Sequence, residues 1–406
     1  MSERAPACAQ DRGGPIQDGG GIDLRIDGGR VLIGSGLEET TIHVACAGGT
    51  IAAVGSDAPA TRHIDARGLL VLPGIVDLHG DAFERQMMPR PGVDFALDIA
   101  LFDSDRQALA NGITTVFHGV TWSWEPGLRA AGNARAMLIA IERLRPRLGA
   151  DTRFHLRHES YNLEAEPEIR QWLAERRIDL MAFNDHLPIA EADGPRAKKL
   201  NPMVERSGLT REEFLDLVAR VRQRADEVPA SVTRIAKAAV ANGVPLLSHD
   251  DTSPEQRGWF RSLGSRLAEF PTTLATAQAA AAHGDDIVLG APNVVRGGSH
   301  TGWTNASDMV ARGLCSILAS DYYYPAPLIA AFRLAADQIV PLPRAWALVS
   351  ATAAAAARLP DRGAIAPGRR ADLILVDAQD VRPRVVATIV AGRVVHLTEA
   401  DRIGVA

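Results

Sequence analysis

The sequence predicts an α/β protein, a (β/α)8 TIM-like barrel with a small β-sandwich domain formed from both chain ends. Three observations predict it. From residue 73 to 362 the chain alternates short apolar runs with helical stretches, eight times or so over about 290 residues. Several of the runs, such as Ile113–Phe117 and Pro245–Leu247, are continuously apolar or β-branched, as suits parallel strands buried on both faces. Segments 21–72 and 363–406 have another texture, short β runs separated by Gly-rich turns, and read as one composite β domain.

Residues 1–20, rich in Gly, Asp and Pro, read as a disordered tail. Leu24–Leu32, Thr41–Val44 and Ile51–Val54 read as a small antiparallel sheet. The run Leu69–Val76, broken by Pro73-Gly74, enters the barrel and ends in Asp77-Leu78-His79-Gly80-Asp81. A helix over Asp103–Ala110 stops at Asn111-Gly112, and Ile113–His118 is a strand. Then come a helix from Gly132 to Leu144, a strand over Phe154–Glu159, a helix over Ile169–Arg176 and a strand over Leu180–His186. Thr210 and Glu213 form a capping box opening a helix to Glu227, and Ser231 caps another that stops at Asn242-Gly243. Pro245–Asp251, Ile287–Gly290 and Ser316–Asp321 are strands, with a helix over Thr272–His283, and helices run on to Arg358. Ala371–Asp377 and Val385–Val395 return to β texture.

A chain of 406 residues, 46% hydrophobic and 23% charged, has the composition of an ordinary globular protein large enough for one big domain and a smaller one. The net charge of −5 argues against a general nucleic-acid binder. No apolar run approaches the ~18 residues that cross a bilayer, so no membrane partner is expected. Cys8, Cys46 and Cys315 are too scattered for a disulfide framework, and the first residues lack an apolar signal core; a cytoplasmic location is the expectation. Only three basic residues are Lys (Lys198, Lys199, Lys237); the other 41 of 44 are Arg.

Polar residues recur where the predicted barrel strands end: His79 and Asp81, then Glu159, His186, His249 and Asp321. In a strand, His79 and Asp81 share one face and Leu78 takes the other. Barrel chemistry sits on strand C-termini, and six such ligands converging there suit a two-metal site. His158, beside Glu159, points to the opposite face and reads as core or as a residue supporting a ligand from behind. Arg296-Gly297-Gly298-Ser299-His300 follows a strand and offers backbone N–H groups, a guanidinium and an imidazole, an anion cradle. Arg90, between Pro89 and Pro91, is a second candidate phosphate clamp.

LPGIVDLHGD after a β-rich start, later His186, His249 and Asp321, and ADLILVD near the end resemble the amidohydrolase superfamily. More narrowly, Pro89–Asp94, Asn111–Thr115, Ser248–Asp251, Glu269–Thr273, Gly290–His300 and Ser320–Tyr323 resemble a branch acting on a phosphonate-bearing sugar triphosphate. The match runs from about residue 22 to 395. The resemblance implies two divalent ions, zinc foremost with manganese or magnesium as alternatives. One would take His79, Asp81 and Asp321; the other His186 and His249, with Glu159 as bridge because no Lys is placed for that role. It implies hydrolysis of a small anionic phosphorylated substrate between its α- and β-phosphates. Asp321 would take the water's proton, and Arg296 and His300 would neutralise phosphate charge. A homodimer is left open. The alternatives are hydrolysis or deamination of a cyclic amide or amine, and a non-catalytic barrel that binds a ligand.

Overall fold

The computed structural model describes residues 24–56, 58–90, 92–187, 200–298, 304–380 and 382–405. The tail reading at 1–20 and the cradle residues Ser299 and His300 lie outside them.

Both chain ends build one sheet. β1 (Leu24–Ile33), β2 (Gly36–Ala45), β3 (Thr50–Val54), β4 (Arg62–Asp65) and β5 (Leu70–Pro73) join β14 (Leu373–Asp377), β15 (Arg384–Val390), β16 (Arg393–Leu397) and β17 (Ile403–Val405). The two ends meet where β5 pairs antiparallel with β14, Val71 opposite Leu375. Inward residues of both segments, including Ile26, Val44, Val71, Leu373 and Ile389, form one apolar core.

The barrel strands are β6 (Ile75–Gly80), β7 (Ile113–Trp122), β8 (Asp151–Glu159), β9 (Leu180–Asn184), β10 (Leu246–His249), β11 (Leu267–Glu269), β12 (Asp286–Gly290) and β13 (Ile317–Ala319), each parallel to its neighbour. The ring closes beyond β13: Asp321 N donates to His79 O at 2.8 Å and Asp81 N to Asp321 O at 3.0 Å. Period-two alternation sets two levels along the strands. Lower inward residues, among them Phe117, Leu180, Leu247, Leu267 and Ile317, pack with Ala353 and Ala354 of the helix Ala351–Ala356. Each large apolar side chain so buried contributes roughly 1.5–3 kcal/mol. One step further along, inward positions turn polar: His249 follows Leu247, Glu269 follows Leu267, and Asp321 follows Ala319.

Four expectations change here. Between Asp77 and Gly80 the β6–β7 register slips, so simple alternation fails and Leu78 packs with Val76 in the barrel interior instead of facing away from His79. β11, three residues long, was not among the expected strands. Ser231 lies inside the helix Val228–Ala241 rather than capping it; its hydroxyl donates to Glu166 Oε2 at 2.7 Å. The Thr210–Glu213 capping box is formed, but its helix ends at Arg222. Among the described residues no helix is long and apolar enough to cross a membrane.

Candidate metal centre

Strand ends from around the barrel converge at its mouth. β6 brings His79 and, just past its end, Asp81; β8 brings His155, Arg157 and Glu159 on one face. His186 follows β9, Asp250 follows His249 of β10, Glu269 ends β11, and Asp321 follows β13.

Three imidazoles share one arrangement. Glu269, fully buried, accepts from His79 Nδ1 at 2.7 Å and from His249 Nδ1 at 2.6 Å, one oxygen to each. Glu159 accepts from His186 Nδ1 at 2.5 Å and, with its other oxygen, from the His186 backbone N at 3.1 Å. A carboxylate accepts a hydrogen bond from Nδ1–H, so Nε2 carries the free lone pair and the ring is held in one orientation. His79 Nε2 lies 3.9 Å from Asp81 Oδ2, and His249 Nε2 lies 3.5 Å from Asp250 Oδ1. Two donor sets result, each with its atoms within 4.8 Å of one another: His79, Asp81 and Asp321, and His186, His249 and Asp250. Nitrogen and carboxylate oxygen in these groupings suit a zinc- or manganese-type ion, with the backing carboxylates that metal-binding imidazoles use. His155 adds to the fit. It forms a further set with His79 and Glu269; its Nδ1 bonds Leu78 O at 2.9 Å, and its buried Nε2 has no partner among the described residues.

Electrostatics follow the pairing. Burial works against the charged form of Glu269, yet His79 and His249 hold its carboxyl well below the usual range. Burial likewise opposes Glu159, and His186 overcomes it, taking the carboxyl down to about 2. Burial lowers His249, whereas at His79 burial is outweighed by Glu269 and the imidazole is raised. Burial, then the neighbouring Asp81, push Asp321 up to about 7.

The backbone is strained where it meets the site. Asp250, Phe270 and Asp321 end their strands at φ of 59°, 53° and 54°, a left-handed conformation costing on the order of 1–2 kcal/mol outside glycine. Each is held by a hydrogen bond from its N to the next strand or across the closure: Asp250 to Glu269 O, Phe270 to Val288 O, Asp321 to His79 O. The Phe270 ring packs 5.1 Å from His79 and 5.2 Å from His249, fixing both imidazoles from the side. Asp77, fully buried, accepts from Ser320 N at 2.9 Å and Ser320 Oγ at 2.5 Å, tying β6 to the Asp321 turn.

The structure brings His79, Asp81 and Asp321 together, and His186 with His249. It sets Glu159 against His186, which donates to both of its oxygens. His158 faces the outer helices against Phe183, its ring nitrogens without partners among the described residues. Of the glycine cradle, Arg296, Gly297 and Gly298 lie within the described residues. Arg296 is the exposed last residue of the helix Ala291–Arg296; Gly297, at φ 79°, donates to Val294 O, and Gly298 donates to Asn293 O. Those N–H groups close the helix terminus. Arg90 is exposed, its carbonyl accepting from Val93 N.

Glu269, Arg157, His155 and Asp250 were missed as site residues. The predicted strand Phe154–Glu159 already set His155, Arg157 and Glu159 on one face by its alternation. Arg157, 4% exposed, donates to Asp81 Oδ2 at 3.3 Å and to His249 Nε2 at 3.2 Å. With the Asn184 amide oxygen turned toward it, that oxygen accepts from the same guanidinium at 3.3 Å.

The amidohydrolase family model matches residues 106–396. The chain is 37% identical over 329 residues to the Escherichia coli (strain K12) alpha-D-ribose 1-methylphosphonate 5-triphosphate diphosphatase, covering 78% of this chain and 85% of that protein. Among solved structures, dihydropyrimidinase from Brevibacillus agri NCHU1002 superposes with a TM-score of 0.65 at 15% identity, covering 93% of this chain and 95% of the other. Molinate hydrolase superposes at 0.62 and 16% identity, covering 94% and 96%. The fold is thus shared with these hydrolases, and on its sequence the chain belongs to the amidohydrolase family.

Proposed function

We propose that this amidohydrolase-family protein is a metal-dependent hydrolase of alpha-D-ribose 1-methylphosphonate 5-triphosphate, releasing pyrophosphate and leaving the 5-phosphate. The observation that carries the substrate is the 37% identity to the diphosphatase over 85% of that protein's length. The observation that supports the chemistry is the pair of donor sets with Glu269 and Glu159 behind their imidazoles.

Two divalent ions, zinc or manganese in kind, fit these sets: His79, Asp81 and Asp321 for one, His186, His249 and Asp250 for the other. Bound there, they supply Lewis acidity toward phosphoryl oxygens. The chain's own groups do the rest. Asp321, at the mouth beside His79 and Asp81, is placed to take a proton from the attacking water and return one to the departing pyrophosphate. Arg157, buried beside both sets, offers a fixed positive charge where phosphate charge develops. Arg296 sits at the far end of a six-residue helix that starts beside Gly290, roughly 9 Å along the axis. It suits the distal phosphates better than the reacting one. Arg90 is placed in the same peripheral role.

Phosphorus NMR of the metal-loaded protein with a ribose or nucleoside triphosphate ester tests this. Pyrophosphate as the first product is expected. Orthophosphate as the sole early product overturns the cleavage position; turnover of a cyclic amide with every triphosphate ester left intact overturns the phosphate reading.

A further inference from the structure

The two donor sets are not equivalent, because one guanidinium touches both. Arg157 reaches Asp81 of the first set and His249 Nε2 of the second, and Asn184 anchors it from the side. An imidazole with its proton on Nδ1 has one lone pair, and Glu269 fixes the His249 proton on Nδ1. That lone pair serves Arg157 or an ion, never both. A carboxylate has about four acceptor positions, so Asp81 can keep Arg157 and still hold an ion.

We propose that Arg157 sets the order of ion binding: the His79–Asp81–Asp321 set fills first, and the His186–His249–Asp250 set fills only after an ion displaces the guanidinium from His249. Among the described contacts of the first set no side-chain hydrogen bond occupies His79 Nε2, and the Arg157 bond to Asp81 can persist when an ion enters. At the second, a charge-assisted bond between two buried groups is lost, and the cation remains close by, tethered to Asp81 and Asn184. The displaced N–H edge is then free to face an anionic oxygen of the substrate. The inference rests on the metal-dependent reading above and deepens it, adding Arg157 as a positioning residue that couples ion loading to the anion site.

The test is stepwise titration of the metal-free, full-length protein with Mn(II), followed by calorimetry and by electron paramagnetic resonance, which separates isolated from spin-coupled ions. For the wild type, a second dissociation constant weaker than the first by about ten- to hundredfold is expected, with an isolated-ion spectrum at one equivalent. Arg157→Gln and the apolar Arg157→Met, checked for folding by circular dichroism, should tighten the second step toward the first and show coupled ions earlier. His186→Asn should abolish only the weak step. Equal constants in the wild type overturn the proposal even if no Arg157 variant folds. So does an Arg157 variant that weakens the second step, which is the behaviour of a purely structural residue. Absence of any Mn(II) or Zn(II) binding overturns the metal reading itself, a different and recognisable result.

Discussion

Two populations of histidine occupy this barrel, often one residue from a strand position of the other kind. His79, His186 and His249 point to the mouth, each with a carboxylate on Nδ1. His118 and His158 point outward: His118 lies 5.1 Å from the Phe83 ring and His158 6.2 Å from Phe183, and His158 has neither ring nitrogen bonded among the described residues. Burial does not separate them, since His79 is as enclosed as His158. The backing carboxylate does. It fixes the tautomer and raises basicity toward an ion, and at His79 it outweighs the desolvation that drives the core histidines to about 4. Residue type alone therefore says little about function on these strands; the partner at the second nitrogen says most of it.

The largest way to break the comparison is Glu269→Gln. One substitution takes the carboxylate from both His79 and His249, so ion affinity and kcat/KM should each fall by about a hundredfold or more, where a single backing partner typically accounts for ten- to hundredfold. Metal analysis and steady-state kinetics on the folded variant check it; unchanged metal content at limiting ion removes Glu269 from its assigned role. Glu159→Gln acts on His186 alone, so the loss should be nearer about tenfold and confined to the weaker ion.

The core histidines should behave oppositely. Their folded-state pKa is depressed to about 4 from 6.5, so the unfolded chain binds more protons between those values. Stability should be full above pH 6.5 and decline as pH falls toward 4, by on the order of a few kcal/mol for the pair. His158→Phe should reduce that acid loss while leaving stability at pH 8 within about 1 kcal/mol and ion content unchanged, since an unpartnered buried imidazole contributes little there. Urea unfolding at several pH values decides it; an acid limb as steep as that of the wild type contradicts the core assignment. The smallest expected effect is Arg296→Ala. An exposed side chain at a helix end should raise KM for triphosphate esters by up to about fivefold, with kcat nearly unchanged, because exposed charge contacts are worth at most about 1 kcal/mol.

Most of this architecture was legible in the sequence, because strands buried on both faces announce themselves by apolar runs and barrel ligands by polar residues at the run ends. What escaped has local causes. β11 is Leu267-Ala268-Glu269, too short to show any period, and the carboxylate serving two imidazoles is on it. Leu78 was put on the wrong face because a bulge in β6 depends on register against β7, which one segment cannot reveal. Arg157 was hidden by abundance: in a chain whose basic residues are nearly all Arg, one more carried no signal until Asp81 and His249 closed around it. Gly297 and Gly298 also end a short helix, Ala291–Arg296, that was not among the expected elements.

The central claim is that the carboxylate-backed imidazoles hold ions through Nε2 and the core imidazoles do not. Anomalous scattering from a crystal grown with Mn(II) or Zn(II) tests it most directly. The account predicts a peak about 2.0–2.3 Å from His79 Nε2 with Asp81 and Asp321 around it, a weaker one near His186 and His249, and none near His118 or His158. A metal-replete crystal with no peak within bonding distance of His79 or His249 would contradict it.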